Sequence, residues 1–78
     1  MDKMHRQIRA ELRGMAPRRA VEFVLSFDLP DEEAVCVIEC DVRQKSYTQL
    51  AQQLFVSPEL IKRRRRSAYH KIADAMRH

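Results

Sequence analysis

Five consecutive cations, Lys62 to Arg66, are the densest chemistry in the chain, and they suit binding to phosphates and base edges rather than bond making. Arginine matches the paired acceptors of guanine, and a carboxylate such as Glu59 can accept from cytosine. Charge runs on helices are also often no more than solvated faces. No catalytic set accompanies them. His5, His70 and His78 are scattered, no Ser/His/Asp or Cys/His group stands at a working spacing, and the single glycine, Gly14, cannot build a phosphate-cradling loop. An enzyme is not expected. Cys36 and Cys40 would share a face of a helix, but with no further Cys or His at short spacing they read as reduced core or half-buried thiols rather than a zinc site. Neither a metal nor a cofactor is expected, and the histidines are expected on the surface.

The cations need a rod to carry them, and the stretch 57–78 supplies one. Ser57 can cap open amides, Pro58 suits a first helical turn, and Glu59 is favoured at the positive end of the helix dipole. Ile61, Ala68, Ile72 and either Ala75 or Met76 would form one apolar stripe. At about 100° per residue the five cations cannot share a face. Lys62, Arg63 and Arg66 should point outward, whereas Arg64 or Arg65 falls near the stripe and must snorkel or find a carboxylate.

Upstream, Met4, Ile8 and Leu12 predict a first helix from about Asp2 to Arg13, closed by Gly14 in a left-handed turn. Pro17 opens a second, to about Phe27, with Val21, Val24, Leu25 and Phe23 or Phe27 inside. Leu29 and Pro30 separate it from a third, whose first turn holds Asp31, Glu32 and Glu33 and which should reach Asp41 or Val42. Its apolar contacts are expected to be Val35, Cys36, Ile38 and Val42, although Val35 to Ile38 also has strand character. Ser46 and Gln49 form a capping box, starting a fourth helix from about Tyr47 to Leu54 with Leu50, Ala51 and Leu54 on one side.

Seventy-eight residues with 45% hydrophobic and 33% charged side chains suit a single all-α domain of about five helices, since one Gly and three Pro leave little room for hairpins. The net charge of +4 is unevenly laid. Up to Asp41 there are six Lys or Arg against nine Asp or Glu, whereas from Val42 onward there are nine against two. A polyanion would meet the C-terminal half first. The longest apolar run, Ala34 to Ile38, is far too short for a membrane span, and no export signal is visible, so a cytoplasmic, nucleoid-associated protein is expected.

A short helix, a three-residue turn and a second helix opening on Ser-Pro is the layout of a helix-turn-helix. Leu50, Leu54, Val56 and Ile61 supply the apolar positions, and Ala51 the small residue where the helices cross. On these residues the segment 29–72 resembles region four of bacterial sigma factors and the sigma-like regulators of phages and mobile elements. The resemblance runs through Leu29-Pro30, Glu33, Ser46-Tyr47, Leu50-Ala51, Leu54, Val56-Ser57, Ile61-Lys62, Arg64, Ala68 and Ile72. The family usually has Gly at the turn where this chain has Phe55, so the turn must either take another backbone conformation or strain Phe55. The sigma region that binds core polymerase and melts promoter DNA has no counterpart, so a complete sigma factor is not expected.

The resemblance implies a DNA-binding transcription regulator whose partner is double-stranded DNA, with RNA polymerase as a further partner. Base contacts would come from Pro58, Glu59, Lys62 and Arg63, with Arg66 and Ser67 a turn further on, and phosphate contacts from Lys45, Tyr47, Thr48, Gln49 and Lys71. Arg64 is expected to pair with Glu33. The alternative is a protein-interaction module that uses a sigma-like fold to modulate polymerase or another nucleic-acid enzyme. Residues 1–28, outside the resemblance, would complete the core, bind a partner or make a homodimer. RNA is disfavoured by the scarcity of aromatics for stacking.

Overall fold

Helical periodicity becomes five α-helices in the computed structural model, which describes residues 3–77: α1 (Lys3–Gly14), α2 (Pro17–Leu25), α3 (Asp31–Val37), α4 (Tyr47–Leu54) and α5 (Pro58–Met76). No strand occurs among the described residues, so the strand character of Val35 to Ile38 loses to helix. The expected start at Asp2 and the expected surface position of His78 lie outside the described residues.

α5 is the helix on which the others converge, with α3, α4 and α1 all packed against it. The larger core joins Ile8 and Leu12 of α1, Ala20 and Val24 of α2, Ala34 and Val37 of α3, and Ala68, Tyr69, Ile72 and Ala73 of α5. A smaller one beneath the helix-turn-helix holds Cys36, Leu50, Ala51 and Ile61, with Cys40, Tyr47 and Val56 against it. Both N-terminal helices therefore contribute to the common core. A radius of gyration of 11.7 Å matches the roughly 11.5 Å of a compact chain of this length. No helix of the described residues is long and apolar enough to cross a membrane.

Several expected positions shift for identifiable reasons. The stripe on α5 turns through Tyr69 and Ala73 rather than Ala75 or Met76, which are exposed, because α1 lies over that side and brings His5 against the Tyr69 ring at 5.5 Å. His5 is accordingly buried rather than on the surface. Leu25 is 58% exposed, because α2 is short and meets the core through Ala20 and Val24 instead. Val35 also faces outward, while its neighbour Cys36 is fully buried. Leu54 is only partly covered at the end of α4.

Turn geometry departs from expectation as well. Gly14 remains inside α1 without a positive φ, and the left-handed positions fall on Asp28, Gln44 and Phe55. Phe55 sits at φ 59°, ψ 42°, and the Val56 amide donates to the Ala51 carbonyl at 3.0 Å, the closing bond of a Schellman turn. The turn thus keeps the geometry that glycine would favour, and Phe55 carries the strain. α3 does not run evenly to Val42. It passes into a π-helical turn over Ile38–Val42, in which the Arg43 amide donates to the Ile38 carbonyl at 3.0 Å. Such turns mark places where a helix is adjusted around a particular contact.

Candidate nucleic-acid interface

That contact belongs to Asp41, a buried carboxylate inside the π turn. Arg65 donates to both its oxygens, from Nε and Nη2, each at 2.7 Å, and both side chains are more than nine-tenths buried. The same guanidinium donates to the Tyr47 hydroxyl at 2.9 Å and the Tyr69 hydroxyl at 3.2 Å, and lies 4.7 Å from the centre of the Tyr69 ring. Burial works against the charge of Arg65, but the hydrogen bonds and field of Asp41 more than offset it and raise its pKa. Arg65 is thus the member of the basic run that turns inward, and it ties α5 to the end of α3 and the start of α4.

With Arg65 fixed, the rest of the run has a defined orientation. Lys62, Arg63 and Arg66 are exposed, and none of them takes part in an ion pair among the described residues. Lys62 and Tyr69 are seven residues apart, as are Arg66 and Ala73, so each pair leaves the helix axis in nearly the same direction. The first member of each pair is exposed and the second buried. α1 therefore covers this side of α5 in its trailing half and leaves the same side open in the leading half, whose opposite side holds the buried Ile61 against α4. Pro58 and Glu59 are exposed at its tip, and Ser57 caps it by accepting from the Leu60 amide at 3.2 Å. Pro58 and Glu59 join Lys62, Arg63 and Arg66 as exposed residues of this leading half, whereas Ser67 is half-buried.

The start of α4 is built by the capping box. Ser46 accepts from the Gln49 amide at 3.1 Å, and the Gln49 side chain accepts from the Ser46 amide at 2.9 Å. Thr48 and Gln49 remain exposed. Two other residues expected at phosphates already have partners: Tyr47 accepts from Arg65, and Lys45 donates to Gln53 at 2.9 Å and lies 3.5 Å from Glu39.

The expected pairing of Glu33 with Arg64 is not formed. Glu33 instead accepts from Lys71 at 2.9 Å and from the Ser67 hydroxyl at 3.3 Å. Ser67 and Lys71, one helical turn apart, lie on the side of α5 that faces α3, whereas Arg64 makes no ion pair among the described residues. Ser67 and Lys71 are thus engaged with the protein itself, although Lys71 remains half-exposed.

The two thiols sit behind this surface. Cys36 and Cys40 are both free; burial pushes both upward, and Cys40, with the field of Asp41 added, rises to about 11. They act there as small apolar groups. The buried network of Asp41 and Arg65 was the part hardest to foresee. The requirement that one central arginine find a carboxylate was visible, but Asp41 reaches it through a π turn that no residue pattern announced.

Compared with known proteins, the chain matches no family model, no curated protein and no solved structure.

Proposed function

We propose that the chain is a sequence-specific DNA-binding transcription regulator of the sigma region-four type, reading the major groove with the leading half of α5. The observation that carries this reading is the division within one basic run. Arg65 is locked to Asp41, while Lys62, Arg63 and Arg66 stand exposed and without an ion pair among the described residues, on the side of the leading half of α5 that faces away from the buried Ile61 and Arg65. A merely solvated face would not need its base clamped by a buried ion pair and its tip fixed by a Ser-Pro cap. Thr48 at the start of α4 would hold a phosphate while α5 meets base edges, with Lys45 taking a smaller part because Gln53 and Glu39 already engage it. Ser67 and Lys71 take a smaller part, because Glu33 already holds them.

The test is a duplex-binding titration at several salt concentrations. Replacing Lys62, Arg63 or Arg66 by Ala should weaken binding to a preferred duplex, with a loss of about 1–3 kcal/mol where an arginine grips a guanine. Arg18→Ala, on the exposed surface of α2, should change little, and Lys71→Ala should lower the salt dependence less than Lys62→Ala. Equal losses at all of these positions would mean diffuse charge attraction and would count against groove reading.

A second reading, a module that binds polymerase or another nucleic-acid enzyme, is favoured by Phe55. Its ring is 93% exposed at the turn, beside the partly exposed Leu54. If protein contact is the main role, Phe55→Ser removes the partner and leaves duplex affinity intact.

A further inference from the structure

A cleft of about 340 Å³ opens between α1 and the start of α4, and its wall is unusually cationic. Arg9 and Arg13 enter it from α1, Lys45 and Tyr47 from the start of α4, and Arg65 forms its floor together with Asp41. The only carboxylate of the lining, Asp41, already has both oxygens bonded to Arg65. Arg9 and Arg13 make no ion pair among the described residues. The Nε of Arg9 is buried with no hydrogen-bond partner there. The cleft thus gathers arginines whose charge no carboxylate among the described residues offsets, apart from Arg65, which Asp41 holds.

We propose that this cleft is a phosphoryl-binding site, in which Arg9 and Arg13 hold the anion from one side and the start of α4 holds it from the other. The Tyr47 hydroxyl accepts from Arg65 and so keeps its own proton to donate into the cleft. Lys45 contributes less than a free lysine, because Glu39 lies 3.5 Å from it. Arginine forks suit the several oxygens of a phosphoryl group better than a lone point charge does. The group can belong to a backbone diester of bound DNA or to a free phosphate ester. Only the first source rests on the function proposed above. In that case α1, which lies outside the helix-turn-helix, extends the DNA contact and fixes the register of α5.

The test uses the full chain labelled with ¹⁵N and two probes, inorganic phosphate and a short duplex. Saturable shifts of the Arg9 and Arg13 side-chain Nε–H resonances and of the Ser46 and Tyr47 amides are expected with at least one probe. Arg9→Gln with Arg13→Gln should weaken the effect at least tenfold, and Arg18→Gln with Arg19→Gln should not change it. If the double variant does not keep the native spectrum, Arg13→Gln alone, at an exposed position, replaces it. Response to phosphate without response to duplex assigns a free ester as ligand, and response to both assigns the DNA backbone. Response to duplex alone, with a salt slope shallower by about one contact in the Arg13→Gln variant, assigns the DNA backbone. Failure of both probes to move these resonances, or equal shifts in wild type and variant, overturns the proposal. Binding of phosphate by a chain that selects no DNA sequence would overturn the regulator reading and leave the cleft proposal standing.

Discussion

Of five consecutive cations only Arg65 has both a buried position and a buried counter-charge, and this decides what the others are free to do. An ion pair of this kind is expensive to break from one side only. Asp41→Ala leaves an uncompensated guanidinium and should lower the unfolding free energy by about 3–5 kcal/mol in a urea titration. Asp41→Leu combined with Arg65→Met should recover most of that loss. If the single variant costs no more than the double, the pair does not clamp α5. Titration gives an independent check, since burial raises Cys36, Cys40 and Tyr69 above their ordinary values. Between the ordinary thiol value of 9.0 and the Cys40 value of about 11 the folded chain holds more protons than the unfolded one, so stability must fall as pH rises through that window. Melting temperatures across it should decline, and Cys40→Ala should flatten the decline.

At the scale of the element, the turn between α4 and α5 carries a measurable strain. An L-residue in the left-handed region costs about 1–2 kcal/mol, and glycine gives back roughly 0.5–1 kcal/mol of this through its greater freedom when unfolded. Because the Phe55 ring packs on almost nothing, Phe55→Gly should be neutral or stabilising by up to about 1 kcal/mol, while Phe55→Val should destabilise. A clear loss with glycine would mean that the ring makes contacts in the folded chain. The turn also shows what was legible beforehand. The start of α4 at Tyr47 and of α5 at Pro58 were readable, because Ser46 with Gln49 and Ser57 with Pro58 are local capping signals. The exposure of Leu25 and Val35, the burial of His5 and the partnership of Glu33 with Lys71 were not, because each depends on which neighbouring helix lies over it. The outward direction of Lys62, Arg63 and Arg66 followed from helical geometry alone, whereas the cleft that Arg9 and Arg13 line depends on the packing of α1 against α5 and the π turn.

Taken whole, the molecule sets a basic C-terminal half against an acidic N-terminal one, with nine Lys or Arg and two Asp or Glu from Val42 onward. Such a field orients a polyanion before contact and makes association depend on salt, but it carries no sequence information. On the proposed reading, discrimination would come from the exposed side of the leading half of α5. The most direct measurement is therefore selection of bound duplexes from a random pool, followed by the same selection with Arg63→Ala. The proposed role predicts a recurrent motif for the wild-type chain and a loss of preference at one or two of its positions for the variant. Recovery of duplexes without any shared motif, or an identical motif from both proteins, would contradict it.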